Sequence, residues 1–198
     1  MHKALADWFG KRGWSPFEYQ RECIESYHAG RSGLVHAPTG TGKTLAVWLG
    51  PIDEYLHESG NTPHTTPAKR ESAEAIRVLW ITPLRALATD TVESLIEPVR
   101  ALNLPWTIEK RTGDTAASLK AKQRRQLPTA LVTTPESLSL MLSYPDARSL
   151  LSTLRCIIID EWHELLSTKR GVQTELALAR LRTWNPTVRT WGLSATLG

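Results

Sequence analysis

The chain has 198 residues, 41% hydrophobic and 22% charged, with 24 basic against 20 acidic side chains and a net charge of +4. That length supports one sizeable core, and the balance excludes a disordered chain. No apolar run nears the roughly 20 residues a bilayer span requires, and Lys3 and Asp7 interrupt the first ten residues, so membrane and secretory classes do not fit and a cytoplasmic protein is expected.

In chain order, helical patterns around Leu5–Phe9 and Gln20–Tyr27 flank a turn at Gly13-Trp14-Ser15-Pro16. From Gly33 onward short β-rich runs alternate with helices. The strands are read at Gly33–His36, Arg77–Thr82, Trp106–Arg111, Ala130–Thr133, Arg155–Ile159 and Val188–Gly192. The helices between them are read at Lys43–Glu58, Leu84–Ala101, Thr115–Gln126, Glu136–Ser143 and Gln173–Trp184. Residues 57–75 carry Pro, Thr, Ser and charge without periodicity and are expected to form a surface loop. This alternation predicts an α/β fold, a mainly parallel sheet with helices on both faces. Parallel strands are buried on both faces, which accounts for uninterrupted apolar runs such as Cys156-Ile-Ile-Ile159. Ligands then belong at the carboxyl ends of the strands.

Two cysteines, Cys23 and Cys156, have neither the spacing of a zinc site nor the density of a disulfide scaffold, and reduced thiols are expected. The eight tryptophans are mostly expected in the core, Trp80, Trp106 and Trp191 above all; an exposed one could stack on a base. Lys110, Arg111, Lys120, Lys122, Arg124 and Arg125 make a basic cluster that fits either a polyanion site or a solvated helix face.

Residues 37–44 read Ala-Pro-Thr-Gly-Thr-Gly-Lys-Thr, between a strand and a helix, where a Walker A phosphate loop belongs. Ala37 stands where the strict pattern has glycine. Gly40 and Gly42 allow the backbone N–H groups of Pro38-Thr39-Gly40-Thr41-Gly42 and the helix start to turn inward, proline excepted, around phosphates. Lys43 supplies charge for the β- and γ-phosphates of ATP, and the Thr44 hydroxyl can ligate Mg²⁺.

Residues 157–163 read Ile-Ile-Ile-Asp-Glu-Trp-His, an apolar strand delivering acids at its carboxyl end. Asp160 is the second expected Mg²⁺ residue, and Glu161 is placed to polarise an attacking water. His163 and Glu164 do not make a zinc protease, because Ser167 stands where that motif has its second histidine.

The ordered set of motifs resembles superfamily 2 helicases across nearly the whole chain. Phe17-Glu-Tyr-Gln20 looks like the Q motif, which implies that Gln20, with Phe17 beside it, serves the adenine. Thr82-Pro-Leu-Arg85-Ala-Leu87 looks like motif Ia, Thr112-Gly113-Asp-Thr115 like motif Ic and Thr134-Pro135-Glu-Ser137 like motif Ib. Asp160-Glu-Trp-His163 is a DExH box, and Ser194-Ala-Thr196 resembles motif III. The strings Trp162-His-Glu-Leu-Leu-Ser-Thr-Lys-Arg-Gly171, Leu131–Ser139 and Trp191–Gly198 are closer to Lhr-type helicases, the group called ligase-associated DNA damage response helicases. That resemblance implies a RecA-like domain, ATP-driven 3′-to-5′ movement on single-stranded DNA, and a place in DNA repair in the bacterial cytosol or nucleoid. It assigns Lys43, Asp160, Glu161 and His163 to catalysis, and it couples Ser194 and Thr196, through His163, to the γ-phosphate. A buried, satisfied histidine is the plainer reading of His163. Lys169 and Arg170 receive no role.

Thr82, Arg85, Thr112, Gly113, Thr134, Pro135 and Ser137 follow strand ends and offer groups that bind phosphate oxygens without reading bases. Ordinary helix capping is the other reading of the same residues. Residues 1–30 are taken as an N-terminal helical segment with the Q motif and 31–198 as the ATP-binding domain. The sequence ends two residues after motif III, so a second RecA-like domain is expected in a longer chain, and the 198 residues alone are expected to bind nucleotide weakly and hydrolyse it negligibly. An RNA helicase, or a module that binds nucleotide without hydrolysing it, are the competing readings; the intact acid pair argues against the second.

Overall fold

A computed structural model describes residues 1–60 and 75–195. Six strands form one sheet in which every pairing is parallel: β1 Gly33–His36, β2 Val78–Ile81, β3 Ile108–Arg111, β4 Ala130–Thr133, β5 Cys156–Ile159 and β6 Arg189–Ser194, in the order β1-β6-β5-β2-β4-β3. Alternate side chains of each buried strand serve opposite faces, as the two-residue period of a strand requires. Val78 and Trp80 of β2, with Cys156 and Ile158 of β5, face one apolar cluster; Leu79, Ile81, Ile157 and Ile159 face the other.

The first cluster is covered by α1 Lys3–Lys11, α2 Glu18–His28, α3 Lys43–Gly60 and α4 Leu87–Ala101. Leu5, Trp8, Phe9, Ile24 and Tyr27 sit in it beside Trp48 and Trp191, so the N-terminal helices share the core of the sheet. The second cluster is covered by α6 Pro135–Leu142 and α9 Lys169–Trp184, with the short helices α7 Ala147–Leu150 and α8 Trp162–Leu165 beside them. The basic helix α5, Ala117–Arg125, buries only Gln123.

Several boundaries depart from the sequence reading. The helix expected from Gln173 begins at Lys169, because the Thr168 side chain caps it by accepting from the Gly171 N–H at 3.1 Å. A Cβ at Gly171 would run into the Leu165 carbonyl oxygen, so this turn requires glycine there. The helix expected from Leu84 begins at Leu87. Trp106 lies before β3 rather than in it, yet is buried. Residues 57–60 complete α3 instead of opening a loop; the rest of that expected loop, 61–74, lies outside the described residues. Trp80, Trp106 and Trp191 are core residues as expected, and Trp14 is more than half exposed. Both cysteines are buried free thiols.

Candidate functional site

All six strands point their carboxyl ends to one edge, and apart from Phe17 and Gln20 at the start of α2 the expected site residues lie at or just beyond those ends. β1 delivers the glycine loop, with the Ala37 N–H donating to the Ser194 carbonyl at 3.3 Å. Gly40 and Gly42 adopt φ of +82° and +87°, in the region that favours glycine. At Gly42 a Cβ would also stand 2.7 Å from Gln20 Nε2. The loop tip Pro38–Gly40 is exposed, whereas the Lys43 side chain folds back and donates to the Ala37 carbonyl at 2.5 Å. The Thr41 hydroxyl donates to the Pro38 carbonyl at 2.7 Å.

The first turn of α2 braces this loop. Tyr19 donates to the Thr41 carbonyl at 2.5 Å, and Gln20 Nε2 donates to the Gly42 carbonyl at 3.0 Å. Gln20 Oε1 accepts from the Phe17 N–H at 3.0 Å, half of a capping box. Gln20 is therefore buried and engaged with loop backbone, while the Phe17 ring is exposed and stacked on Tyr19 at 6.0 Å. Tyr19 was missed by the sequence reading, although it stands inside the quoted Phe-Glu-Tyr-Gln string.

β5 delivers the acids. Asp160 Oδ1 accepts from the Glu161 N–H at 3.0 Å and Oδ2 from Trp80 Nε1 at 3.3 Å. Burial and the neighbouring Glu161 carboxylate hold the Asp160 carboxyl above the ordinary carboxylate range; the Lys43 ammonium, close enough to act on it, pulls the other way and is outweighed. Glu161 has φ of +43°, left-handed backbone that a non-glycine residue adopts at a cost of about 1–3 kcal/mol. Its Oε2 is buried without a hydrogen bond and lies 3.5 Å from His163 Nδ1. His163 Nδ1 in turn lies 3.2 Å from the Ser194 hydroxyl at the end of β6. The expected His163–Ser194 link is present; Thr196 lies outside the described residues. A half-buried pair of adjacent carboxylates is the donor set a hard divalent cation takes, and Asp160 with the half-buried Thr44 fits Mg²⁺.

The other half of the edge, beyond β2, β4 and β3, holds a cleft of about 410 Å³. Arg85, Thr112, Gly113, Thr134 and Ser137 line it together, although 52 positions separate the first from the last in the chain. Thr82 and Pro135 do not line it: Thr82 is wholly buried, its hydroxyl directed to the Leu84 carbonyl at 3.5 Å, and Pro135 is buried as the first residue of α6. Direct side-chain contact expected of Thr82 is corrected on that ground. The capping reading of Thr134 fails in its strict form, because its hydroxyl meets the Ser137 hydroxyl at 3.3 Å and makes no side-chain cap to the backbone.

Lys120 and Arg124 of the basic helix also line the cleft, with Tyr144. Lys120 donates to the Gly113 carbonyl at 2.7 Å, and the Arg124 guanidinium lies 4.4 Å from the centre of the Tyr144 ring. Lys122 instead pairs with Glu109 at 2.8 Å, so one face of α5 serves the cleft and another is solvated. Arg85 pairs with Asp114 at 3.2 Å across an exposed gap. Arg170 bonds Glu136 at 2.6 Å and so ties α9 to the cleft wall. Burial raises the Glu136 carboxyl, but its own backbone N–H, Arg170 and the Thr134 hydroxyl outweigh it and leave it below the ordinary range.

A family model described as DEAD/DEAH box helicase matches residues 17–198. The ATP-dependent helicase Lhr-Core of Methanothermobacter thermautotrophicus is 36% identical over all of this chain and 23% of its own length. The Lhr helicase/uracil glycosylase of Escherichia coli K12 is 35% identical over 98% of this chain and 13% of its own. Among solved structures, Mycobacterium smegmatis helicase Lhr bound to ssDNA and AMP-PNP superposes with a TM-score of 0.83 at 33% identity, covering 99% of this chain and 25% of that one. The DEAD-box helicase Mss116 bound to ssRNA and UDP-BeF shares the fold, with a TM-score of 0.81 at 19% identity, covering all of this chain and 39% of that one. The chain thus spans a quarter or less of the Lhr proteins it matches.

Proposed function

The chain belongs to the DEAD/DEAH box helicase family, and from that premise we propose that it is the ATP-binding motor domain of an Lhr-type helicase that moves on single-stranded DNA. One observation carries the reading: a single sheet edge holds a glycine loop and an acid pair on one half and a basic cleft on the other. The two halves meet at Asp160, which Trp80 of β2 bonds from the cleft side and Lys43 faces electrostatically from the loop side.

In this reading the N–H groups of residues 39–44 and the start of α3 bind the phosphates, and Lys43 leaves the Ala37 carbonyl to meet them. Phe17 offers an exposed ring to the adenine while Gln20 and Tyr19 hold the loop's shape. Asp160 and Thr44 would hold Mg²⁺, which neutralises phosphate charge. Glu161 Oε2, buried and unbonded, is the acceptor that orients the attacking water, and His163 with Ser194 links that carboxylate to β6. Arg85, Lys120 and Arg124 meet nucleic-acid phosphates, and the loops at Thr112-Gly113 and at Thr134, Pro135 and Ser137 approach the sugar-phosphate backbone, contacts suited to stepping along any sequence. Hydrolysis needs a further arginine beside the phosphates, which we assign to a second RecA-like domain of the full-length protein, so these residues alone turn over negligibly.

The Lhr structure superposed above holds ssDNA and AMP-PNP, which favours DNA and ATP here. Among the described residues no helix is long and apolar enough to cross a membrane. Stimulation of the full-length protein's ATPase by single-stranded DNA, with single-stranded RNA as competitor, tests the reading; stimulation by RNA alone would replace it with an RNA helicase.

A further inference from the structure

At the end of α3 away from the phosphate loop, three side chains gather that the motor reading does not use. Asp53 and His57 stand one turn apart on α3 and so share a face, and His28 closes α2. Gly50 makes the meeting possible: a Cβ there would lie 2.7 Å from Tyr27 Cγ, so only glycine lets α2 approach α3 this closely. His28 Nε2 then lies 2.7 Å from Asp53 Oδ2, and His57 Nδ1 lies 3.4 Å from the same oxygen.

Asp53 is wholly buried, and a buried carboxylate demands positive or hydrogen-bonding partners. Its Oδ1 accepts from the His2 N–H at 2.5 Å, leaving Oδ2 to the two imidazoles. One ligand-capable atom of each of His28, Asp53 and His57 lies within 4.8 Å of the others, and the two imidazoles are exposed, so an ion has a way in. His57 Nδ1 also lies 2.8 Å from the Asp53 carbonyl, a contact it gives up when its lone pair turns to an ion.

We propose that His28, Asp53 and His57 form a binding site for a divalent transition-metal ion of the zinc class, separate from the nucleotide site. Two imidazoles and one carboxylate favour zinc, cobalt or nickel over magnesium or calcium, which prefer oxygen alone. Ligand bonds of about 2.0–2.1 Å at tetrahedral angles place ligand atoms about 3.3 Å apart. The Asp53–His57 spacing already meets that, and His28, an exposed side chain, has to withdraw by about 0.6 Å. A water completes a three-ligand site, and the His2 ring, edge-on to His57 at 5.0 Å, is the adjacent fourth donor. Binding clamps α1, α2 and α3 together, and stabilises the fold that braces the phosphate loop.

The test uses the full-length protein stripped with a chelator and titrated with ZnCl₂, followed by calorimetry and thermal unfolding, with CoCl₂ as a spectroscopic probe. The expected result is one zinc per chain without nucleotide, a raised Tm, and cobalt bands of a tetrahedral or five-coordinate site. His28→Gln and His57→Gln, both at exposed positions, each weaken zinc binding at least about 100-fold while the metal-free Tm stays near that of the parent. No zinc uptake at micromolar concentration overturns the proposal, and so does undiminished uptake by both variants.

Discussion

The Ser194 hydroxyl lies 3.2 Å from His163 Nδ1, and the same nitrogen lies 3.5 Å from the buried, unbonded Oε2 of Glu161. One imidazole thus connects the end of β6 to the carboxylate beside Asp160. Removing the hydroxyl takes away a bond worth about 1 kcal/mol without touching the phosphate loop. Ser194→Ala in the full-length protein is expected to bind ATP normally and to lose about fivefold of its DNA-stimulated ATPase rate. A matching loss in nucleotide affinity, measured by fluorescent-nucleotide titration, would place Ser194 in binding instead.

Glu161 combines a chemical role with an unfavourable backbone conformation. Glu161→Gln is expected to abolish turnover and leave ATP affinity within about twofold, because the amide keeps the shape but accepts no proton. Glu161→Gly is equally inactive but relaxes φ of +43° and unburies no partner, so its Tm is expected to rise by an amount matching about 1 kcal/mol. Calorimetric unfolding of both variants checks this, and a lower Tm for the glycine variant contradicts the strain argument.

Gly42 is confined twice, by φ of +87° and by the 2.7 Å approach of Gln20 Nε2 to a Cβ at that position. Gly42→Ala is expected to cost more than about 1–2 kcal/mol of stability and to remove measurable nucleotide binding. Gln20→Ala leaves the Gly42 carbonyl without that donor, and a loss of nucleotide affinity of about tenfold is expected by equilibrium titration.

In the cleft, Arg85→Ala and Arg124→Ala are expected to weaken single-stranded DNA binding to the same degree for any base sequence. Each also reduces the slope of log affinity against log salt by about 0.7, the value for one phosphate contact on a single strand. Binding isotherms at several salt concentrations measure both quantities. An unchanged slope would assign these residues to Asp114 and Tyr144 rather than to nucleic acid.

Burial, with the Glu22 carboxylate adding to it, pushes the Cys23 thiol up to about 11, and burial pushes Cys156 up further. At pH 8 roughly one Cys23 thiol in a thousand is ionised in the folded chain. Alkylation by iodoacetamide is therefore expected to be negligible at pH 8 until guanidinium unfolds the protein. The folded value lies above the unfolded one near 8.5, so stability is full below about pH 8.5 and declines from there to about pH 11. Rapid alkylation of native protein, read by mass spectrometry, contradicts the burial of these thiols.

Much of the site was legible in the sequence because its signals are local. The left-handed glycines of the phosphate loop, the apolar run ending in Asp160-Glu161, and the threonines after strand ends follow from chemistry within a few neighbouring residues. The alternation of apolar runs and helical patterns likewise foretold a parallel sheet, since backbone pairing buries both faces of such strands. What the tertiary structure decided depends on contacts across the chain. The order β1-β6-β5-β2-β4-β3 brings Lys43 within electrostatic reach of Asp160 and Trp80 within hydrogen-bonding distance of it. Packing buried Thr82, split the basic helix α5 into a cleft face and a solvated face, and tied Arg170 to Glu136. It also set Gln20 against the Gly42 carbonyl and His28 against Asp53, because helices meet where a small residue such as Gly50 permits close approach, and no local pattern records the partner on the other helix.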